Sequence, residues 1–396
     1  MKRMNGIKKI FALVLAMLYI IPMFVVSNGA SESNSSLGSD FHTENAYILY
    51  SSSDARVLAG ENTDKKLPPA SLTKMMVMLI AAEAINGGAV KLTDEVRVSD
   101  AAAARDGSVI WLTVGERLSL SELLKSITIS SANDSAYAVS EYLSEKSGNA
   151  ATETAFVEQM NARAVSLGMT STHYTNCVGY DDPDHYSTAK DTAVLLSELL
   201  KHKKIYGEWW LTRLDYVREG TDKKAELLNT NKLLKYKGLI GGKTGTTDGA
   251  GYCLAAGAER DGLTLVSVVL GATDDTTRTS RSKQILDYGF ANYSFKEVSF
   301  SELPKTVKVK GGIKVEVSAQ IVDPPKCVSK NGSGAIKVSY EIPSHINAPI
   351  TKGDTIGKAT GKLGDTVVFT ADITAKETVE KYTFARAFGY IIDSVF

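Results

Sequence analysis

The chain has 396 residues, 45 basic and 45 acidic side chains, three cysteines and 43% hydrophobic residues. That length allows two or three domains and a large core, and the balanced charge gives no electrostatic footprint for nucleic acid. The widely separated, odd-numbered Cys177, Cys253 and Cys327 offer no disulfide framework. The five histidines fall in no metal-ligating spacing, and neither a G-x-S-x-G elbow nor a phosphate-binding glycine loop occurs. No metal or cofactor is therefore expected.

In chain order, residues 1–30 combine basic Met1-Lys2-Arg3 and Lys8-Lys9, an apolar run from Ile10 to Val26 and small Ser27-Asn28-Gly29-Ala30, the zones of an export signal peptide. The competing reading is an uncleaved N-terminal anchor, because the apolar zone is long. Removal of this segment takes away four basic and no acidic side chains, which leaves 41 against 45 and a mildly acidic mature chain. Residues 31–43 are a serine-rich tether. Ala46–Tyr50 and Ala55–Ala59 have the pattern of paired strands around the turn Ser51–Asp54.

Next comes Pro68-Pro69-Ala70-Ser71-Leu72-Thr73-Lys74, followed by eight consecutive apolar residues, Met75–Ala82. A turn signal and then a long Leu/Met/Ala run predict a loop feeding a helix buried on most sides, with Ser71 at its start. From Thr93 to Leu200 the period is mostly helical, as in Leu118–Ile129, Ser135–Leu143 and Thr152–Leu167, with a longer loop near Gly179–Pro183. Leu239–Gly245, Gly251–Ala258 and Leu263–Leu270 are strands, and Arg281–Tyr293 is an amphipathic helix. Strands at both ends with helices between them describe an α+β domain, placed at 44–295, whose sheet joins its two termini.

Alternating stretches such as Ile313–Val317, Ile336–Tyr340 and Val367–Thr370 then indicate a small all-β domain at 296–378. Helix period returns from Lys376 to Phe396, with Phe384, Phe388, Ile391, Ile392, Val395 and Phe396 on one stripe. Residues 379–396 are accordingly expected to form an amphipathic membrane-anchoring helix. The alternative is that this helix docks on its own β domain.

Three short motifs carry the chemistry. In Ser71-x-x-Lys74 the three-residue spacing puts the amine on the hydroxyl's side of a helix. A serine needs an adjacent base, and a lysine serves only if burial or a second cation keeps it neutral. S-x-x-K recurs at Ser187/Lys190 and Ser280/Lys283, where a helix cap with a surface lysine explains it; Ser71 differs by opening the apolar helix. Ser131-Ala132-Asn133 follows 60 residues after Ser71, and Lys243-Thr244-Gly245, which occurs once, 112 residues after Ser131. Ser131 suits proton relay to a leaving amine and Asn133 a substrate amide. Lys243 brings a second ammonium that depresses the Lys74 pKa and attracts an anionic substrate. Thr244 offers a hydroxyl to a carboxylate, and Gly245 bares a strand edge on which a peptide can lie.

With Pro69–Met76, Ser131–Ala136 and Gly242–Tyr252, the chain resembles the serine-type D-alanyl-D-alanine carboxypeptidases among the low-molecular-mass penicillin-binding proteins. The resemblance implies a β-lactamase-like, penicillin-recognising α+β domain followed by a sandwich-like β domain. It also implies a membrane-associated hydrolase of peptidoglycan biosynthesis, exported to the outer face of the cytoplasmic membrane and the cell wall. Such an enzyme removes the terminal D-alanine of stem pentapeptides and takes β-lactam antibiotics as covalent inhibitors. Residue by residue, it implies an acyl-enzyme on Ser71, proton acceptance by Lys74, relay through Ser131, and substrate binding by Asn133, Lys243, Thr244 and Gly245. An oxyanion hole at the backbone N–H groups of Ser71 and Thr246 follows, with Arg278 at the substrate's terminal carboxylate and Arg281 close by as the alternative. Thr246 stands where some relatives carry histidine. A β-lactamase or endopeptidase with the same motifs, and a non-catalytic wall-binding protein, are the competing functions. The E-x-x-L-N string of the first does not occur between Ser131 and Lys243.

Overall fold

The computed structural model describes residues 46–383; the export segment, the tether and residues 384–396 lie outside the described residues. Strands β1 (Ala46–Ser51) and β2 (Arg56–Glu61) open the fold as an antiparallel hairpin. Six helices of nine residues or more follow: α1 (Lys74–Asn86), α2 (Leu120–Ser130), α3 (Asn133–Lys146), α4 (Glu153–Ser166), α5 (Ala189–Leu200) and α6 (Lys203–Leu211). A two-stranded pair, β3 (Glu95–Arg97) with β4 (Arg117–Ser119), lies between α1 and α2, and a small hairpin, β5 (Leu214–Val217) with β6 (Ala225–Leu228), follows α6. Strands β7 (Leu239–Thr247), β8 (Gly251–Arg260) and β9 (Leu263–Ala272) and helix α7 (Asp275–Asn292) complete this part.

All six residues of β1 are buried, because it lies inside a five-stranded antiparallel sheet of order β2-β1-β9-β8-β7. The period of two then divides the core. Ala46, Ile48, Ala255, Val266, Val268 and Leu270 face the helices that follow β2. Leu49, Leu254, Ala256, Leu265 and Val269 face the opposite way, against Ile285 and Leu286 of α7. The α+β reading with first and last strands adjacent is what the chain adopts, and β7 is left at the sheet edge.

Helix α1 has no polar face because it runs between α3 and α5, and Met75–Leu79, Ala81 and Ala82 are buried together with Lys74. Serine and glutamate at its start place α2: Ser119 and Glu122 form a reciprocal capping box. Helix α7 begins at Asp275 rather than Arg281, because the Asp274 carboxylate accepts the Thr277 N–H at 2.7 Å and caps the helix earlier than the apolar period alone suggests.

The chain then continues through β10 (Tyr293–Lys296), β11 (Thr306–Lys310), β12 (Glu316–Gln320), β13 (Cys327–Lys330), β14 (Lys337–Glu341), β15 (Ile346–Asn347), β16 (Thr355–Leu363) and β17 (Thr366–Ala375). Six of these form a sheet of order β14-β16-β17-β12-β11-β15 around Val309, Val317, Ile350, Ile356, Ile373 and Val379. The other two, β10 and β13, pair with each other, and Val328 of β13 enters the core beneath α7. Asp54, in the β1–β2 turn, accepts the Val328 N–H at 2.9 Å, so the first hairpin also grips the all-β part.

Two sequence expectations need correction. Ile313 and Val315 precede the strand instead of belonging to it: Val315 is 78% exposed while Val317 is fully buried, since the chain turns at 311–315 before pairing. Residues 376–383 are not helical. Val379 pairs with Ile350 and Lys381 with Gly312, and Tyr382 N–H donates to the Gly311 carbonyl at 2.7 Å. The β core claims the Val379 side chain, which overrides the helical period read across it. The rest of the proposed anchor, 384–396, lies outside the described residues.

Candidate active site

The turn that carries Ser71 is a single 3-10 turn, Ala70–Thr73, running directly into α1. Ala70 has φ +48°, in the region that disfavours any residue with a Cβ. The turn is held from several sides. Thr73 Oγ1 donates to the Ala70 carbonyl at 2.8 Å and lies 2.8 Å from His185 Nε2. His185 is buried, and burial lowers its pKa to about 4, so it is a neutral strut.

Lys74 opens α1 with no exposed surface. Its Nζ lies 2.7 Å from Ser71 Oγ and donates to the Val178 carbonyl at 2.7 Å. Burial pulls its pKa down to about 7, opposed in part by the Asp134 carboxylate. A buried amine that loses its proton near neutrality, in contact with a serine hydroxyl, has the properties of a general base.

Ser131 caps α2 in the left-handed region, φ +65°, which turns the chain sharply into α3 and aims the serine into the cleft. Lys243, on β7 and 2% exposed, donates to Ser131 Oγ at 2.8 Å and to the Thr244 carbonyl at 2.8 Å. Its pKa is held well below the ordinary lysine value by burial, then by the facing cations Lys74 and Arg278. The sequence assigned Lys243 the task of depressing Lys74; the cause at Lys74 is instead its own burial, and it is Lys243 that feels the neighbouring cation.

Asn133 begins α3 and is pinned to the neighbouring loop: its Nδ2 donates to the Asp106 carbonyl at 2.6 Å and its backbone N–H to the Ser108 carbonyl at 2.6 Å. Thr244 faces away from Lys243, as alternation requires, and its Oγ1 lies 2.6 Å from Thr230 Oγ1. Gly245 lets β7 approach the nucleophile: a Cβ there would lie 3.0 Å from Ser71 N and 3.0 Å from the Pro69 carbonyl. Of the two arginines left open by the sequence, Arg278 reaches β7. Its guanidinium is buried, donates to the Gly245 and Cys253 carbonyls and to Thr246 Oγ1 at 3.0 Å, and pairs with Asp275 at 2.7 Å. It therefore meets the cleft through the Thr246 hydroxyl.

Ser71, Lys74, Ser131, Asn133, Lys243, Gly245 and Thr246 thus converge between α1, the α2–α3 turn and the edge strand β7. Sequence reasoning missed the loop that closes the floor. Asn176 Oδ1 accepts the N–H groups of Gly179 and Tyr180 at 2.7 and 3.0 Å, which shapes the turn that presents the Val178 carbonyl to Lys74. A backbone carbonyl leaves no side-chain signature, and the one readable signal was Gly179. Its φ is +93°, and a Cβ there would sit 1.9 Å from the Ala70 carbonyl oxygen. Asp134 was also missed: its buried carboxylate accepts the N–H groups of Ile110 and Leu112 at 3.0 Å each, which fastens the loop holding Asn133.

A family model described as D-alanyl-D-alanine carboxypeptidase matches residues 33–274, and one described as the C-terminal domain of penicillin-binding protein 5 matches residues 295–381. The chain is 36% identical over 347 residues to the D-alanyl-D-alanine carboxypeptidase DacF of Bacillus subtilis, covering 87% of each chain. Among solved structures, penicillin-binding protein 5 from Haemophilus influenzae is similar with a TM-score of 0.73 and 29% identity, over 85% of this chain and 97% of that one. Penicillin-binding protein D2 from Listeria monocytogenes in its cefotaxime-bound form is similar with a TM-score of 0.55 and 30% identity, over 62% of this chain and 96% of that one.

Gly179 and Gly168 test how far the floor loop fixes the site. Both have positive φ, but a Cβ at Gly168 meets nothing within 4 Å. Gly168→Ala is expected to cost only backbone strain, about 1–2 kcal/mol, in urea unfolding. Gly179→Ala adds the collision with Ala70 and is expected to cost at least about 2 kcal/mol more. Equal losses would show that the loop does not press on the Ser71 turn.

Proposed function

The chain belongs to the D-alanyl-D-alanine carboxypeptidase family, and from that membership we propose how its residues divide the reaction. The enzyme is a serine-type carboxypeptidase that releases the terminal D-alanine. The observation that carries the assignment is the buried Lys74 amine, 2.7 Å from Ser71 Oγ and braced by the Val178 carbonyl at the same distance.

Ser71 Oγ attacks the carbonyl carbon of the penultimate D-alanine while its proton passes to neutral Lys74. The oxyanion accepts hydrogen bonds from the Ser71 and Thr246 N–H groups; the close passage of Gly245 beside Ser71 N supports this placement. Ser131, held by Lys243 at 2.8 Å, relays the proton to the departing D-alanine amine. Water then attacks the Ser71 ester, Lys74 takes its proton and passes it to Ser71 Oγ as the ester bond breaks, and the shortened peptide leaves with Ser71 and neutral Lys74 restored. Asn133 holds the substrate amide, β7 supplies the edge along which the peptide lies, and Thr244 and Thr246, the latter steadied by Arg278, receive its terminal carboxylate. Among the described residues no carboxylate hydrogen-bonds Ser71 or Lys74, which favours a carboxypeptidase over a β-lactamase that activates water with glutamate.

The substrate class is the peptidoglycan stem peptide, with β-lactams acylating the same serine. We further propose that the chain is exported through residues 1–30, that residues 44–295 and 296–378 form its catalytic and all-β domains, and that the C-terminal stripe holds it on the membrane. Because Val379 is part of the β core, the anchor is redrawn to begin after Thr383. A processed chain ending at Thr383 is expected to leave the membrane fraction with its activity intact; continued sedimentation with membranes would refute the anchor.

For the reaction, the purified protein is expected to release D-alanine from diacetyl-Lys-D-Ala-D-Ala and to bind a fluorescent penicillin covalently. Ser71→Ala is expected to abolish both. Persistent labelling of the variant at another serine would refute the nucleophile. The pH dependence follows from Lys74: the base is the neutral amine, present above a pKa of about 7 and lost as pH falls through it. The penicillin acylation rate should thus fall about tenfold per pH unit below 7 and level off above about 8. A rate independent of pH between 5 and 8 would rule out Lys74 as the base.

A further inference from the structure

Lys74, Lys243 and Arg278 supply the basic groups of the cleft; two carboxylates stand near its mouth, Asp181, which is engaged by Thr247 and the Gly249 N–H, and Asp106. Asp106 is exposed, and its carboxylate Oδ1 accepts the Tyr180 hydroxyl at 2.5 Å. Among the described residues no lysine or arginine pairs with it. The adjacent Arg105 is turned away, its guanidinium 4.6 Å from the Tyr137 ring and its Nε donating to the Ala101 carbonyl.

The position of this carboxylate is fixed twice. Its own backbone carbonyl accepts Asn133 Nδ2 at 2.6 Å, and Gly107 lies so close that a Cβ there would be 3.0 Å from the same nitrogen. Tyr180, on the other side, is two residues from the carbonyl that holds Lys74, and its own carbonyl accepts Asn176 Nδ2 at 3.1 Å. Asp106 is thus registered both to the group that holds the substrate amide and to the floor of the catalytic site.

We propose that Asp106, oriented by Tyr180, recognises the free side-chain amine of the diamino acid that precedes the D-Ala-D-Ala pair. This rests on the carboxypeptidase reading above. An extended peptide on β7 places its terminal carboxylate towards Thr246 and Arg278. Its acyl residue then lies beside Asn133, and that residue's side chain faces the Asp106 segment. An anion there gives nothing to the carboxylate end of the substrate but complements an ammonium at the other. Asp106 therefore sets specificity, while Tyr180 is a positioning residue. The contact is solvated, so its effect is modest, as for exposed ion pairs, and it weakens with salt.

The test compares kcat/KM of the full-length protein for acetyl-Lys-D-Ala-D-Ala with a free ε-amine and for the diacetylated peptide. The wild type is expected to prefer the free amine by about two- to five-fold at low ionic strength, and the preference should shrink at high salt. Asp106→Asn should bring the ratio to about one, and Tyr180→Phe should lower it part of the way. No preference in the wild type would overturn the proposal. So would an Asp106→Asn variant that slows both peptides equally, since Asp106 would then serve only to brace Asn133. Release of D-alanine from neither peptide by the wild type would instead strike the carboxypeptidase reading, and the proposal with it.

Discussion

Everything at this site depends on a lysine amine kept in a place where its charge is unwelcome. Taking an ammonium out of water costs several kcal/mol even after relaxation, and the protein answers by lowering the proton affinity of Lys74 until it is half neutral near pH 7. Helix α1 does this by being apolar all round, so that its first residue is as buried as the methionines after it. The Val178 carbonyl and the Ser71 hydroxyl satisfy the amine without restoring full charge, because neither is an anion.

A second buried lysine gives the cleft its sign. Lys243 is held by Ser131 and a backbone carbonyl, again without a carboxylate partner, and its proton is weakened by burial and by two neighbouring cations. Two amines that hydrogen-bond only hydroxyls and carbonyls, beside a guanidinium whose one carboxylate partner is Asp275, leave a field suited to a negatively charged ligand. The leaving group of the reaction supplies one, the terminal carboxylate of the substrate.

Much of this was legible in the sequence because the relevant residues break local rules. A serine opening eight apolar residues, a lysine inside that run and a lone K-T-G are inconsistent with plain structural duty, and all three converge as expected. The first hairpin, most helices and the three strands of the main sheet were equally legible, since period and turn residues agreed with their tertiary roles. What stayed hidden was written in backbone. The Val178 carbonyl, the Asp134 cap on the Asn133 loop and the early start of α7 depend on which N–H meets which oxygen, and hydropathy does not encode that. Residues 376–383 misled for the converse reason: their period suited a helix, but Val379 found a place in a β core instead.

The precision of the nucleophile has its own origin. The Ser71 turn lies between two closely approaching backbone segments, the floor loop at Gly179, where no side chain fits, and the edge strand at Gly245, where a Cβ would be crowded at 3.0 Å. Contact with this turn requires the glycine at 179 and favours the one at 245, and Ala70 within the turn accepts a backbone strain of order 1 kcal/mol or more. A turn gripped by main chain on both sides has little room to relax. Its hydroxyl and N–H are therefore already placed when a substrate arrives, and the close-packed backbone supplies the preorganisation that the proposed oxyanion site needs.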